Sequence, residues 1–259
     1  MLIDPADERL GVLWTECVGP GDHFFIGEVD SRGSVVTFYG DVLNGRRVSV
    51  DEPHSEGAFT QGIISLVQEC ARVNIKLSVS FMFNESLIQR ARNAMVSNAF
   101  KTDFTHFMFI DSDIRFTGID VLTMINADKP LIAGIYPKKE INWKTVGDAA
   151  RRGEQELQKY TGAFVVNLAN YATEVTVPIN QPLEVMNAGT GFMLIKRHVF
   201  DDIKQNTNVP TYTSDVMDLS KNVNPGDQIT AFFDCSIEDG TNRLLSEDYH
   251  FCQLYRKAG

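Results

Sequence analysis

Short apolar runs alternate with amphipathic stretches along most of the chain. The runs are short enough to be strands, and the stretches between them repeat apolar residues at helical spacing. The predicted strands are Arg47–Val50, Ile75–Phe83, Phe107–Ile110, Pro130–Ile135, Phe192–Ile195 and Ile229–Asp234. The predicted helices are Ala58–Val73, Ser86–Phe100, Gly118–Ala127, Arg197–Ile203 and a last helix capped by Ser246. This alternation predicts an α/β fold, a Rossmann-like three-layer α/β/α domain with a mixed, mostly parallel sheet.

Two regions depart from the alternation. In residues 1–45, Phe24–Val29 and Val35–Tyr39 flank a Ser-Arg-Gly turn, so we expect a hairpin in a small β-rich N-terminal extension, with the main domain at 46–259. Residues 137–187 form a long polar insertion, in which 147–159 favours a helix and 163–168 and 173–177 favour antiparallel strands. Insertions of this length in α/β domains usually carry function or move.

Composition narrows the function classes. The chain of 259 residues has 24 Lys and Arg against 34 Asp and Glu, a net charge of −10, and no basic stripe, which argues against nucleic acid as a partner. No segment has the length and apolarity of a membrane span, and the first residues do not resemble a signal peptide. The four cysteines are scattered, which favours reduced, buried thiols and a cytoplasmic location.

Two aspartates follow the most apolar run. Asp111 and Asp113 stand directly after Phe107–Ile110. Carboxylates at the carboxyl end of a buried strand lie where α/β sheets bind ligands, and residues i and i+2 of an extended segment point the same way. The pair could therefore hold a divalent cation together with a diphosphate. The alternative interpretation is a polar strand end that closes a loop.

Other polar residues allow more than one interpretation. Glu247 and Asp248 could interact with the dipole of the last helix or supply a general base. Arg90 and Arg92 lie two apart on a helix and face different ways, so one of them could reach a diphosphate or an aspartate of the pair and the other would be exposed to solvent. Gly189 and Gly191, which flank Thr190, could form a bulge or let a ligand approach the backbone. His250 could ligate a metal or be an ordinary helix histidine.

Taken in order, five segments resemble nucleotide-sugar glycosyltransferases of the GT-A fold, particularly the forms of phages and large DNA viruses. These segments are 86–93, 106–116, 133–139, 189–197 and 246–252, within a similarity that covers about residues 46–258.

The resemblance implies a nucleotide-sugar half at 46–136 and an acceptor half at 137–259. It implies a metal-dependent enzyme that moves a sugar from a UDP- or GDP-sugar to a hydroxyl acceptor such as a glycan, in the host cytoplasm if the protein is viral. Mn2+ or Mg2+ would be bound by Asp111 and Asp113, with His250 as a further candidate ligand.

The remaining roles implied by the resemblance concern the substrates. Asp51 and Arg92 would lie on the nucleotide side, and Asp111 near the ribose or the metal. The turn at 189–191, with Thr190, would approach the donor sugar. Asp248, or failing that Glu247, would be the catalytic base. Three alternatives stay open: a sugar-nucleotide nucleotidyltransferase, a phosphoryl hydrolase, and a non-catalytic carbohydrate-binding or virion-associated module.

Overall fold

The structure is a computed structural model that describes residues 23–29, 55–82, 85–136, 140–162, 167–168, 181–215 and 223–259. Within these residues the fold is mixed α/β, with six α-helices and several small sheets. The helices are α1 Ser55–Arg72, α2 Ile88–Ala99, α3 Gly118–Asn126, α4 Trp143–Arg151, α5 Arg197–Asn206 and α6 Glu247–Ala258. The strands are β1 His23–Val29, β2 Lys76–Met82, β3 His106–Ile110, β4 Leu131–Ala133, β5 Asn167–Leu168, β6 Val185–Asn187, β7 Phe192–Lys196, β8 Thr211–Thr213, β9 Gln228–Thr230, β10 Ser236–Ile237 and β11 Leu244–Leu245.

The main sheet has five strands in the order β2-β1-β3-β7-β4. β1 is parallel to both β2 and β3, whereas β7 is antiparallel to both β3 and β4. Parallel and antiparallel pairings are equal in number, so the prediction of a mostly parallel sheet is not supported. The physical reason is the long insertion between β4 and β7. After it the chain re-enters the sheet at the same edge at which β4 ends, so β7 runs in the opposite direction. A single crossover helix would have carried the chain to the other end of the sheet and preserved the strand direction.

β1 corrects the prediction for the start of the chain. Its register sets Phe24 opposite both Leu77 of β2 and His106 of β3, so this segment is a central strand and not part of an antiparallel hairpin. The continuous apolar run Phe24–Ile26 is typical of a central strand, but the turn-like residues after it favoured a hairpin. The second strand of that hairpin, the rest of 1–45, and the predicted strand Arg47–Val50 lie outside the described residues.

Alternation along β3 divides the core into two clusters. Phe107 and Phe109 belong to a cluster with residues of α2, α5 and α6, whereas Met108 and Ile110 belong to one with residues of α1 and α3. All four side chains are buried, as expected for a strand covered on both faces. Helices therefore pack on both faces of the sheet, and β3 is held at its centre.

The helix predictions are confirmed to within a few residues, but some caps differ. α2, predicted from Ser86, begins after Leu87, and no side chain caps it. Ser246 occupies the N-cap position of α6 as predicted, although its hydroxyl bonds to Asp248 and not to the helix backbone. Asp120 and Thr117 form a reciprocal capping box at α3. The side chain of each accepts a hydrogen bond from the backbone N–H of the other.

Three smaller differences concern the second half. The predicted helix within 147–159 is α4 followed by a 3-10 turn at Leu157–Tyr160, and β8, at Thr211–Thr213, is absent from the predicted strands. Of the two antiparallel strands predicted in the insertion, only 167–168 falls in a described strand, and 173–177 lies outside the described residues. Among the described residues, no helix combines the length and apolarity needed to cross a bilayer.

Candidate functional site

The candidate site lies at one edge of the sheet, where three neighbouring strands bring polar residues together. Asp111 follows the carboxyl end of β3, and Tyr136 follows that of β4. Because β7 runs the other way between them, the Gly189–Gly191 segment that precedes it reaches the same edge. The backbone joins these segments: Asp111 N–H donates to the Gly191 carbonyl at 2.8 Å, and Gly134 N–H donates to the Phe192 carbonyl at 2.9 Å.

Asp111 begins a turn. The Ile114 N–H donates to the Asp111 carbonyl at 3.0 Å, so residues 111–114 form a turn and not the extended segment that the sequence suggested. Ser and Asp favour such turns because their side chains compete for backbone hydrogen bonds. The argument that the side chains of Asp111 and Asp113 point the same way, which assumed an extended segment, therefore does not apply. Their joint binding of a metal stays a prediction.

Arg92 is a buried cation that lies between two carboxylates. Only 5% of the residue is exposed. Its Nη2 lies 3.7 Å from Asp111 Oδ1, and its Nη1 bonds to Glu247 Oε1. Its guanidinium carbon also lies 5.5 Å from the centre of the Phe109 ring, a cation–π contact. Arg92 thus links the end of β3 to the first turn of α6, as the sequence allowed.

The two acids at the start of α6 have different surroundings. Glu247 is ion-paired with Arg92, and its side chain is 16% exposed. Asp248 uses Oδ1 to accept from the Ser246 hydroxyl and from the Tyr249 N–H, the latter at 2.8 Å. Its Oδ2 faces the glycine turn, 3.6 Å from the place where a Cβ on Gly189 would lie. Asp248 therefore keeps one oxygen directed at the site, whereas Glu247 is committed to the cation.

Tyr136 occupies the space that the glycines leave. A Cβ on Gly189 would lie 2.2 Å from the Tyr136 hydroxyl oxygen, and one on Gly191 would lie 2.9 Å from it. The Gly191 Cβ would also lie 2.9 Å from Asp111 Oδ2. Of the two interpretations of this glycine pair, close approach is what the structure contains, but the group that approaches is a side chain of the same protein.

The electrostatic surroundings of Tyr136 keep its hydroxyl protonated. Burial, followed by the negative charge of Asp111, raises the pKa of Tyr136 to about 12, and Asp248 contributes in the same direction. A hydrogen bond with the Gly191 backbone opposes this rise in pKa. A hydrogen bond lowers a phenol pKa when the phenol oxygen accepts it, so the Gly191 N–H is the donor. The Tyr136 O–H remains free to donate.

Three buried polar atoms near this edge have no partner among the described residues: Arg92 Nε, Thr190 Oγ1 and Asn187 Oδ1. Thr190, the middle residue of the predicted turn, is 1% exposed. Buried polar atoms in native proteins are almost always hydrogen-bonded, and an exception calls for an explanation such as a bound water, ion or ligand. These atoms are therefore consistent with a site for a polar ligand.

His250 lies apart from the aspartates. Its Nδ1 is 2.7 Å from Ser236 Oγ, and burial lowers its pKa, with Asp234 acting in the opposite direction. Within the described part of the chain, no three His, Cys, Asp or Glu side chains group closely enough to hold a metal ion. The predicted ligand set of Asp111, Asp113 and His250 is therefore not preassembled. The structure is consistent with the interpretation of His250 as an ordinary helix histidine.

The donor chemistry at the end of β3 still fits a hard divalent cation. Mg2+ is usually held by one or two carboxylates, with water and substrate phosphates as the other ligands, so a third protein ligand is not required. The Asp111 side chain is 35% exposed, which leaves carboxylate surface available to an ion. Asp113 is partly buried two residues further on. Asp51, predicted to contact the nucleoside, lies outside the described residues.

Comparisons with known proteins add little to this geometry. No family model matches the chain, and no curated protein matches it. Among solved structures, it is similar to the crystal structure of A197 from STIV, with 15% sequence identity, a TM-score of 0.34, and coverage of 87% of this chain and 94% of that one. A similarity of this size shows neither a shared fold nor a shared function.

Sequence reasoning missed one residue of the site and was wrong about the burial of one cysteine. Tyr136 is the third residue after the end of β4, and an uncharged residue at that place drew no attention. Cys235 was expected to be buried and is exposed, with Gln89 Nε2 3.0 Å from its sulfur. Cys70 and Cys252 are buried and free, as predicted, and Cys17 lies outside the described residues.

Proposed function

We propose that the protein is a metal-dependent glycosyltransferase that moves a sugar from a nucleoside-diphosphate sugar to a hydroxyl acceptor such as a glycan. The observation that supports it is the convergence at one sheet edge of Asp111, the Gly189–Gly191 turn and Asp248. In this proposal the sheet is the central sheet of a GT-A-like domain, the fold to which the sequence shows a resemblance.

In this proposal Asp111 and Asp113 would hold Mn2+ or Mg2+, which would neutralise charge on the donor diphosphate. Arg92 holds Asp111 and Glu247 in place and adds positive charge on the nucleotide side. Thr190 offers a buried hydroxyl to the donor. The comparison of UDP- and GDP-sugars described below identifies the nucleotide of the donor.

Asp248 is the proposed base for the acceptor. Its Oδ2 faces the site, whereas Glu247 is paired with Arg92, so the geometry favours Asp248 over its neighbour. In an inverting reaction, Asp248 takes the proton of the acceptor hydroxyl while the acceptor oxygen bonds to the anomeric carbon. The bond from that carbon to the diphosphate oxygen breaks, and the nucleoside diphosphate leaves with its electron pair.

Ligand-dependent thermal stability tests this proposal. UDP- and GDP-sugars would be compared with free nucleotides, with and without Mn2+, on wild type, Asp113→Asn and Asp103→Asn. Asp103 precedes β3 at its other end and is exposed, so it is the matched control. A donor at a hundred times its Kd adds about 2.7 kcal/mol to the free energy of unfolding.

We expect one sugar nucleotide to raise the Tm in the presence of Mn2+, and we expect Asp113→Asn but not Asp103→Asn to remove that rise. No shift with any nucleotide in folded wild-type protein would overturn the proposal and favour the non-catalytic module. A shift with nucleoside triphosphates and release of pyrophosphate would favour the nucleotidyltransferase.

A further inference from the structure

Tyr136 joins the three parts of the candidate site. Its hydroxyl lies against the turn before β7, and the two acids that act on it come from different elements, Asp111 after β3 and Asp248 in the first turn of α6. A single hydroxyl at such a junction can fix the relative positions of all three elements. The ring packs against the cluster that contains Met108 and Ile110, which anchors it from below.

The absence of side chains at 189 and 191 makes this position possible. The Tyr136 hydroxyl lies 2.2 Å from where the Gly189 Cβ would be, closer than real Cβ contacts, so any larger residue would displace the ring or the turn. Gly189 does not have a positive φ, since the described glycines with positive φ are 153, 226, 240 and 259. The requirement for glycine at 189 is therefore the space for the hydroxyl, and not the backbone conformation.

The groups around the hydroxyl are the turn and two acids. The backbone of Gly191 hydrogen-bonds with the hydroxyl, and Asp111 and Asp248 each place an Oδ2 beside the same turn. On Asp248, Oδ1 already accepts two hydrogen bonds, and Oδ2 is the oxygen on the Gly189 side. That oxygen is the one that would take the acceptor's proton.

We propose that Tyr136 is a positioning residue, whose hydroxyl holds the Asp248 carboxylate and the Gly189–Gly191 turn in the arrangement that the transfer step needs. This inference rests on the proposed function. It predicts an effect on the chemical step and not on donor binding, because Tyr136 orients a group that acts in the transition state.

Tyr136→Phe tests the inference because it removes one oxygen and keeps the ring. Donor Kd, KM and kcat would be measured for this variant, wild type and Tyr255→Phe, with the donor found in the stability panel. Tyr255 is the matched control, a partly buried tyrosine at the far end of α6. We expect Tyr136→Phe to lower kcat about 10- to 100-fold, the range for loss of a hydrogen bond to a charged group, with Kd and KM nearly unchanged.

Donor binding by the wild-type protein tests the proposed function, and the kinetics of Tyr136→Phe test the positioning role. Normal donor binding with wild-type kcat in Tyr136→Phe overturns the positioning role and leaves the transferase proposal intact. Equal losses in donor affinity and kcat/KM overturn it in favour of a donor-binding role. If wild type binds no sugar nucleotide, both proposals fail together.

A readout without substrate is the melting temperature of Gly189→Ala in two backgrounds. The alanine methyl meets the hydroxyl in the wild-type background, whereas in Tyr136→Phe the nearest ring atom to it is Cζ, at 3.2 Å. We expect a smaller loss of Tm in the Tyr136→Phe background. Equal losses in both would show that the hydroxyl does not lie against Gly189, and would overturn the geometric basis of the inference.

Discussion

The aromatic cluster that packs on one face of β3 and the polar edge at the carboxyl end of β3 differ in whether their buried groups have partners. Beneath the strand, Phe200 is fully buried and lies within 6.5 Å, centre to centre, of five other phenylalanine rings. At the edge, Arg92, Thr190 and Asn187 each bury a polar atom without a partner among the described residues. The phenylalanine rings need no hydrogen-bond partner, whereas the edge contains three of the five buried polar atoms that have none among the described residues. This contrast indicates that the cluster stabilises the fold and that the edge is available for binding.

The two regions meet at Arg92. Its guanidinium lies against Phe109 on the core side and contacts Asp111 and Glu247 on the site side. A buried cation with carboxylates on two different elements is costly to disturb, because removal of either partner leaves an unpaired charge in a poorly solvated place. The arrangement of the site therefore depends on a residue that is also part of the packed interior.

The largest effect is expected in the cluster. Phe200→Ala removes a fully buried ring from among five others, and we expect a loss of about 4 kcal/mol in the free energy of unfolding, measured by urea titration. Trp143→Ala is the control, because that side chain is 72% exposed, and we expect a loss below about 0.5 kcal/mol. Similar losses in the two variants would contradict the assignment of stability to the cluster.

Arg92→Met tests the boundary between the regions. It leaves Glu247 without its cation, and we expect a loss of about 3 kcal/mol in the free energy of unfolding. Arg90→Met is the matched control on the same helix. Arg90 pairs with Glu85 within a short segment and is 35% exposed, so the expected loss is about 1 kcal/mol or less. Equal losses in the free energy of unfolding would show that the buried ion pairs of Arg92 stabilise the protein no more than the exposed pair of Arg90.

Gly189→Ala tests the edge. The new methyl group would overlap the Tyr136 hydroxyl, and we expect a loss of about 2 kcal/mol, the range for overpacking a well-packed position. Gly147→Ala, within α4, meets nothing closer than 4.0 Å and should stabilise the protein by about 0.5 kcal/mol. Thermal unfolding of both variants would reveal whether the signs differ, and a stabilised Gly189→Ala would contradict the described contact.

The smallest effect on the fold is expected from thiol labelling. Burial raises the pKa of both Cys70 and Cys252 to about 11, whereas Cys235 is exposed. At pH 8 we expect iodoacetamide to label Cys235 long before the other two, as followed by peptide mass spectrometry. Early labelling of Cys252 would show that the cluster opens more readily than its packing implies.

The same pKa values predict how stability changes in alkaline solution. The folded-state pKa of Cys252 lies above the ordinary value of 9.0, so the folded protein holds this proton more tightly than the unfolded chain. The resulting contribution to the free energy of unfolding is complete below pH 9 and is lost as the pH rises through about 11. Cys252→Ala should therefore weaken the dependence of the urea midpoint on pH in that interval.

The sequence predicted the elements better than their arrangement. Periodicity located α1, α3 and β3 because burial on one helix face or both strand faces leaves a local pattern. The direction of β7 leaves no such pattern, since an antiparallel and a parallel central strand are equally apolar. β1 was assigned to a hairpin because a turn motif after it is local, whereas its partners β2 and β3 are distant in the chain.

The candidate site shows the same limit. Asp111, Asp248 and Arg92 were found because charges at strand and helix ends are conspicuous, and the structure brings these three toward one edge. Tyr136 was missed because its importance comes from two glycines more than fifty residues away. His250 was a candidate ligand through the resemblance, and in the structure its Nδ1 lies 2.7 Å from Ser236 Oγ, so its role as a ligand stays a prediction.

The pairing of β3 with β7 has a consequence for how the protein reaches its native state. Ile110 and Phe192 are partners, so roughly 80 residues of chain must be gathered before this ladder can close. Contacts between such distant segments slow folding, because the entropy of closing the loop is lost before the contacts reward it. During synthesis, Asp111 emerges from the ribosome well before the glycine turn and Asp248. The three groups can therefore meet only after synthesis has reached α6.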